Sequence, residues 1–242
     1  MEISELTPYL KEIKMLSSLV VQKGWTEKNA GNFSIRIDDF PKRMLSSFTQ
    51  EEINLETQFP SLENVVFLVK GKGQKFRDLA VEPSYGCGLI IITNKGKSYH
   101  YLRLDNKKSA FNPTSELLSH LLLQEYLVKT KLDYKAILHT HPLEIIIFSH
   151  LMKKLKSSEL NKILASMHVE IPILLPDGVG FIPFFEPGSL ELAKASKRAM
   201  KQFSIIVWER HGCLAFGNEL LDAFDSIDLI NKAASIYIGL TK

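Results

Sequence analysis

Cysteine is scarce in this chain, with two residues in 242, Cys87 and Cys213. Two thiols are too few for a disulfide-stapled fold or a thiolate cluster, which points to a reducing cytoplasm. Cys213 reads as a small buried residue, since cysteine packs as a small hydrophobe. Long apolar runs are missing as well: Ile145-Ile146-Ile147-Phe148 is bounded by Glu144 and His150, far short of the roughly 18 residues a membrane span needs. Met1 to Lys23 carries acids early and spaces Leu6, Leu10, Ile13, Leu16 and Val20 at helical intervals. That is the pattern of an amphipathic helix and not of a secretory signal. A soluble protein with no membrane partner is expected.

A strong charge of either sign is also absent, with 30 Lys plus Arg against 27 Asp plus Glu. The Lys153-Lys154-Leu155-Lys156 cluster is short and has no interleaved aromatics, which argues against a nucleic-acid partner. The chain lacks a dinucleotide fingerprint and a His-Glu-x-x-His helix, which argues against a redox enzyme or a zinc hydrolase of that type. No Pro/Ser/Gly-rich linker divides it, and the polar stretch Asp38 to Glu63 interrupts rather than separates. With 45% hydrophobic content, residues 1–242 bury a full core as one domain.

What is present is a succession of short strands and amphipathic helices. Strands are expected at Phe33–Ile37 and Val65–Val69, and a hairpin joins Cys87–Ile92 to Ser98–Leu102 through Asn94-Lys95-Gly96-Lys97. Thr114 is a candidate N-cap for a helix from Ser115 to about Lys129, which puts Glu116 in its first turn, where the helix dipole favours a carboxylate. Ala136–Leu138 reads as a strand, Leu143–Leu155 as a helix and Val169–Leu174 as extended. A helix at Ser189–Gln202, a strand at Ser204–Trp208 and a closing helix at Glu219–Gly239 complete the pattern. The fold class is α/β: a three-layer α/β/α arrangement around a mixed, largely antiparallel sheet.

The most informative run is Ala136-Ile137-Leu138-His139-Thr140-His141-Pro142, an apolar strand ending in His-x-His. Alternation puts both imidazoles on one face, which is half a metal site. His211, where Ile205–Trp208 stops and Gly212 lets the backbone turn, supplies a third imidazole, and Glu116 supplies a carboxylate. Together they complete a tetrahedral zinc shell, or three ligands plus a carboxylate that leaves for substrate. Two glycine-containing turns, at Asn29, Gly31 and Asn32 and at Gly71, Lys72 and Gly73, present backbone amides suited to a phosphate. Ser115 adds a hydroxyl at a helix N-terminus, which itself attracts anions.

These residues resemble the class II aldolase/adducin family, and within it the zinc-dependent L-rhamnulose-1-phosphate aldolases. The landmarks span nearly the whole chain: Gly24-Trp25 with Asn29-Ala30-Gly31-Asn32, Phe67 to Gly73 with Phe76-Arg77, and Pro113-Thr114-Ser115-Glu116-Leu117. They continue with His139-Thr140-His141, Pro176-Asp177-Gly178-Val179-Gly180, Pro187-Gly188, Trp208 with His211-Gly212, and Leu221-Asp222-Ala223-Phe224. The resemblance implies cleavage of L-rhamnulose 1-phosphate to dihydroxyacetone phosphate and L-lactaldehyde, by a cyclic homotetramer with interface active sites. It implies one zinc per subunit on His139, His141 and His211, with Glu116 alternating between ligand and acid/base. It also implies that Glu170, which on its own reads equally well as an exposed strand residue, comes from a neighbouring subunit to move a proton. Two departures fall at the phosphate end, where Lys72 replaces a usual serine or threonine and Ala30 a common glycine. L-Fuculose 1-phosphate, a pentulose 5-phosphate, or a non-catalytic adducin-like scaffold are the alternatives.

Overall fold

Among the described residues, the apolar runs pair into one nine-stranded sheet. In the computed structural model, which describes residues 4–105, 109–152 and 156–241, a helix α1 (Thr7–Gln22) leads into β1 (Asn32–Ile37) and the short β2 (Ile53–Asn54). Then follow β3 (Val66–Lys70), the one-turn α2 (Phe76–Leu79), and the expected hairpin of β4 (Cys87–Thr93) and β5 (Ser98–Arg103). The middle of the chain forms α3 (Leu117–Thr130), β6 (Ala136–Thr140), α4 (Leu143–Leu151), α5 (Ser157–Met167) and α6 (Ile171–Leu174). It ends with β7 (Val179–Ile182), α7 (Leu190–Ala199), β8 (Ile205–Trp208), β9 (Gly212–Gly217) and α8 (Leu220–Leu240). The basic residues Lys153 and Lys154, with the expected helix end at Leu155, lie outside the described residues.

The strand order is β2-β5-β4-β3-β1-β6-β9-β8-β7, and every pairing is antiparallel except β7 with β8. The sheet is therefore mixed and largely antiparallel, as expected. Helices α1, α4, α5 and α8 cover one face, packing on Phe33, Leu68, Leu138 and Ala215. Helices α3 and α7 cover the other, against Phe67, Ile90, Ile137, Ile206 and Leu214. Ile137 and Leu138 are fully buried on opposite faces of β6, each burial contributing roughly 1.5–3 kcal/mol. The strand that leads to His139 is thus clamped from both sides.

Two local expectations are corrected. Val169–Leu174 is not extended: Ile171–Leu174 closes a helical turn, with Leu174 N–H donating to the Glu170 carbonyl at 2.8 Å and Pro172 near its start. Proline is tolerated there because a first-turn amide has no helical partner anyway. Helix α3 begins at Leu117 and not at Ser115, so Glu116 is its N-cap residue and Thr114 lies outside it. The reason is that the segment before it pairs elsewhere: Thr114 N–H donates to the Lys70 carbonyl at 3.0 Å, and Lys72 N–H to the Asn112 carbonyl at 2.8 Å. Those bonds draw Ser115 and Glu116 up against the turn that follows β3.

Candidate active site

Strand β6 aims His139 at the α3 side of the sheet, where it pairs in register with Asn32 of β1 and Leu214 of β9. His141 lies just past the strand, fixed by its own N–H donating to the Trp25 carbonyl at 2.9 Å. His211 comes from the two-strand turn between β8 and β9. A side chain at Gly212 would place its Cβ 2.4 Å from the Thr140 carbonyl oxygen, at a φ of +149° that favours glycine. Glycine therefore lets the turn close onto the end of β6. The ligating atoms of His139, His141 and His211 all lie within 4.8 Å of one another.

The hydrogen bonds around the rings decide which nitrogens face inward. His139 Nδ1 donates to the Cys213 carbonyl at 2.8 Å, and His141 Nδ1 donates to the Glu27 carboxylate at 2.7 Å. Each Nε2 is then left as a lone pair. The two Nε2 atoms stand only 3.1 Å apart, an arrangement that is repulsive between lone pairs and is relieved by a shared cation. The Glu116 carboxylate closes the cluster, Oε2 at 3.6 Å from His139 Nε2 and Oε1 at 3.6 Å from His211 Nε2. The residues present fit a divalent metal. Trp208, held by its indole N–H on Ser196 Oγ at 3.0 Å, lies against the His139 ring at a centroid distance of 4.6 Å.

Burial keeps the imidazoles of His139 and His211 neutral and their lone pairs available. It holds His139 well below the ordinary histidine value and pulls His211 to about 4, helped by the neighbouring His141. Burial pushes the Glu116 carboxyl upward, opposed by a hydrogen bond from Asn32 and by the positive charge of Lys70.

A cavity of about 260 Å³ opens onto the cluster and is lined by every residue expected there from both turns, Asn29, Gly31, Asn32, Gly71, Lys72 and Gly73, and by Ser115. The amides of the second turn are less free than expected. Gly71 N–H donates to the Gly86 carbonyl at 2.8 Å and that of Lys72 is spent on Asn112, which leaves the Gly73 amide and the exposed Lys72 side chain. Gly31 is required: at φ +76° its Cβ would lie 2.9 Å from both the His139 carbonyl and the Phe76 ring. Glu170 does not line this cavity within one chain; it caps α6. Cys213 is fully buried and stands outside the ligand group, contributing its carbonyl.

Sequence reasoning missed three members. Lys70 lines the cavity at 2% exposure, its Nζ donating to the Asn29 carbonyl at 2.9 Å and standing 5.3 Å from the Phe76 ring centre. Burial lowers its pKa to about 8. A lysine ending an otherwise apolar strand beside a glycine turn was the available signal. Glu27, the partner of His141, gave no signal. His120, buried behind Asn32, was readable as the residue one helical turn beyond Glu116.

Residues 11–238 match the family model described as class II aldolase and adducin N-terminal domain. The chain belongs to this family. It is 34% identical over 236 residues to a rhamnulose-1-phosphate aldolase of Bacteroides thetaiotaomicron, covering 97% of this chain and 86% of the relative. It is 32% identical to one of Listeria welshimeri, covering 96% and 84%. Among solved structures, a sugar-phosphate aldolase from Thermotoga maritima superposes with a TM-score of 0.83 at 26% identity, covering 98% of this chain and 96% of that one. The class II aldolase is a lyase, an enzyme of carbon–carbon bond cleavage, and its class is metal-dependent. Its fold is that of the class. Among the described residues, no helix is long and apolar enough to cross a membrane.

Proposed function

We propose that this class II aldolase cleaves L-rhamnulose 1-phosphate into dihydroxyacetone phosphate and L-lactaldehyde, with one zinc per subunit on His139, His141 and His211. The observation that carries the reading is the cluster of three inward-facing imidazole nitrogens with Glu116 beside two of them. Three imidazoles with one displaceable carboxylate is the donor set of a catalytic rather than a structural zinc. The names of the two curated relatives support the substrate.

When bound, zinc supplies a Lewis acid for the negative charge that develops on the three-carbon fragment. The chain's own residues handle the protons and the phosphate. Glu170, reaching the site from a neighbouring subunit, takes the proton from the hydroxyl on the aldehyde-forming carbon as the adjacent carbon–carbon bond breaks. The bond's electron pair passes to the substrate carbonyl oxygen, Glu116, entering the step protonated, delivers its proton to the carbon left behind, and exchange with water then removes the proton from Glu170 and restores that of Glu116. Burial, which raises the Glu116 pKa, suits a group that must both accept and deliver a proton. The phosphate lies against Asn29, Gly31, Asn32, the Gly73 amide and Ser115, with Lys72 supplying charge in place of a hydroxyl.

Assembly into a homotetramer with shared sites is supported by exposed apolar side chains on α4 and α6. Leu143, Ile147 and Leu151 form one stripe of α4, and Ile173 and Leu174 stand beside Glu170 on α6. Lys72 is the specific reason to keep L-fuculose 1-phosphate and a pentulose 5-phosphate as competing substrates. The test compares kcat/KM of the metal-loaded enzyme on all three. The highest value is expected for L-rhamnulose 1-phosphate, and a higher value on either competitor moves the assignment to it. No turnover on any would favour the adducin-like scaffold.

A further inference from the structure

A file of hydrogen bonds through buried side chains runs from the Lys135 carbonyl to Glu116, and its direction is fixed at the Glu116 end. The Lys135 carbonyl only accepts, so the Gln124 side chain must turn its NH2 toward it, at 2.9 Å. The same NH2 also reaches Ser34 Oγ at 3.2 Å, which leaves the serine proton to be given onward. Ser34 Oγ lies 2.9 Å from His120 Nδ1; the Glu116 carboxylate only accepts, so Asn32 turns its NH2 to Glu116 and its Oδ1 to His120 Nε2, which puts the imidazole proton on Nε2 and leaves Nδ1 to accept from Ser34. His120 Nε2 then donates to Asn32 Oδ1 at 2.5 Å, and the amide so oriented donates its NH2 to Glu116 Oε2 at 2.8 Å. Ser34, Asn32, His120, Gln124 and Glu116 are all buried. With the Asn32 amide turned the other way, its carbonyl oxygen would oppose the carboxylate.

We propose that His120 is a positioning residue for the aldolase reaction: as an Nε2–H donor it fixes the Asn32 amide, which in turn holds the Glu116 carboxylate toward the reacting atoms. This deepens the proposed role of Glu116 and rests on it. Burial lowers the His120 pKa to about 3, so the ring is neutral in use and holds a single tautomer rather than exchanging charge. His120 sits one turn below Glu116 on α3, its ring between the helix and β1. Its ring hydrogen bonds run to Ser34 and Asn32, and it reaches Glu116 through Asn32.

Two variants and one spectrum test it on the full-length, zinc-loaded protein. His120→Leu removes the donor and is expected to lower kcat about 10–100-fold, as loss of such supporting groups does, with KM and zinc content unchanged. His120→Gln places an amide NH2 where Nε2 was, and is expected to restore most of the lost kcat. Nitrogen-15 NMR of the wild-type protein is expected to show His120 as the neutral Nε2–H tautomer, with a proton protected from solvent exchange. Wild-type kcat in His120→Leu, a His120→Gln variant as impaired as His120→Leu, or an Nδ1–H tautomer would each overturn the proposal. If His120→Leu fails to fold, the tautomer and the glutamine rescue still decide it. Absence of aldolase turnover in the wild type would instead strike at the proposed reaction, leaving the tautomer to judge the relay.

Discussion

His120 is a histidine that the folded chain keeps from titrating in its ordinary range. Burial lowers its pKa from 6.5 to about 3, so between those values the unfolded chain binds a proton that the folded chain refuses. Stability therefore rises with pH across that window and is fully present above it. The expectation is that urea unfolding of metal-free protein shows stability falling from about pH 6.5 downward, and falling less steeply in His120→Gln. Identical pH dependence in the two would contradict the assigned burial cost. Lys70 carries a related lesson: its place at the end of an apolar strand was legible, but its burial was not, because burial of a lysine depends on what folds over it.

Among the elements, the β8–β9 turn sets His211 against the strand that carries the other two imidazoles. Gly212→Ala would bring a methyl group within 2.4 Å of the Thr140 carbonyl and 3.1 Å of the His141 ring. The hairpin must shift, and zinc affinity is expected to fall about 10–100-fold while the far-ultraviolet circular dichroism stays unchanged. Unaltered zinc affinity would show that the turn does not position His211. The strand ending in His139-Thr140-His141 was legible because a buried run breaks abruptly into polar residues, and α8 because its apolar spacing persists for several turns. Strand β9 was not legible: Gly212-Cys213-Leu214-Ala215-Phe216-Gly217 opens and closes on glycine and shows no alternation, being buried throughout. The segment Val169–Leu174 misled because its β-branched residues alternate, whereas its packing beneath α5 and α8 selects a helical turn. Glu116 was found, but its place as the cap of α3 depends on the long-range bonds of Thr114 to Lys70 and Lys72 to Asn112, which no local pattern records.

For the molecule as a whole, one sheet and the cap of α3 bring His139, His141, His211 and Glu116 from three separated segments to one end of β6. If Glu116 of one subunit works with Glu170 of another, Glu116→Gln and Glu170→Ala should each depress turnover by about 10²–10⁴-fold with zinc retained. Mixed and reassembled together, the two should recover about a quarter of wild-type activity, the share of interfaces that pair two intact residues at random. No recovery would place both carboxylates in the same chain or remove Glu170 from the reaction. The central claim, metal-dependent cleavage of L-rhamnulose 1-phosphate, is tested most directly by following release of dihydroxyacetone phosphate before chelation, after it, and after zinc is returned. The account predicts release that the chelator abolishes and zinc restores; release that survives complete removal of metal, or no release from the zinc-loaded protein, would contradict it.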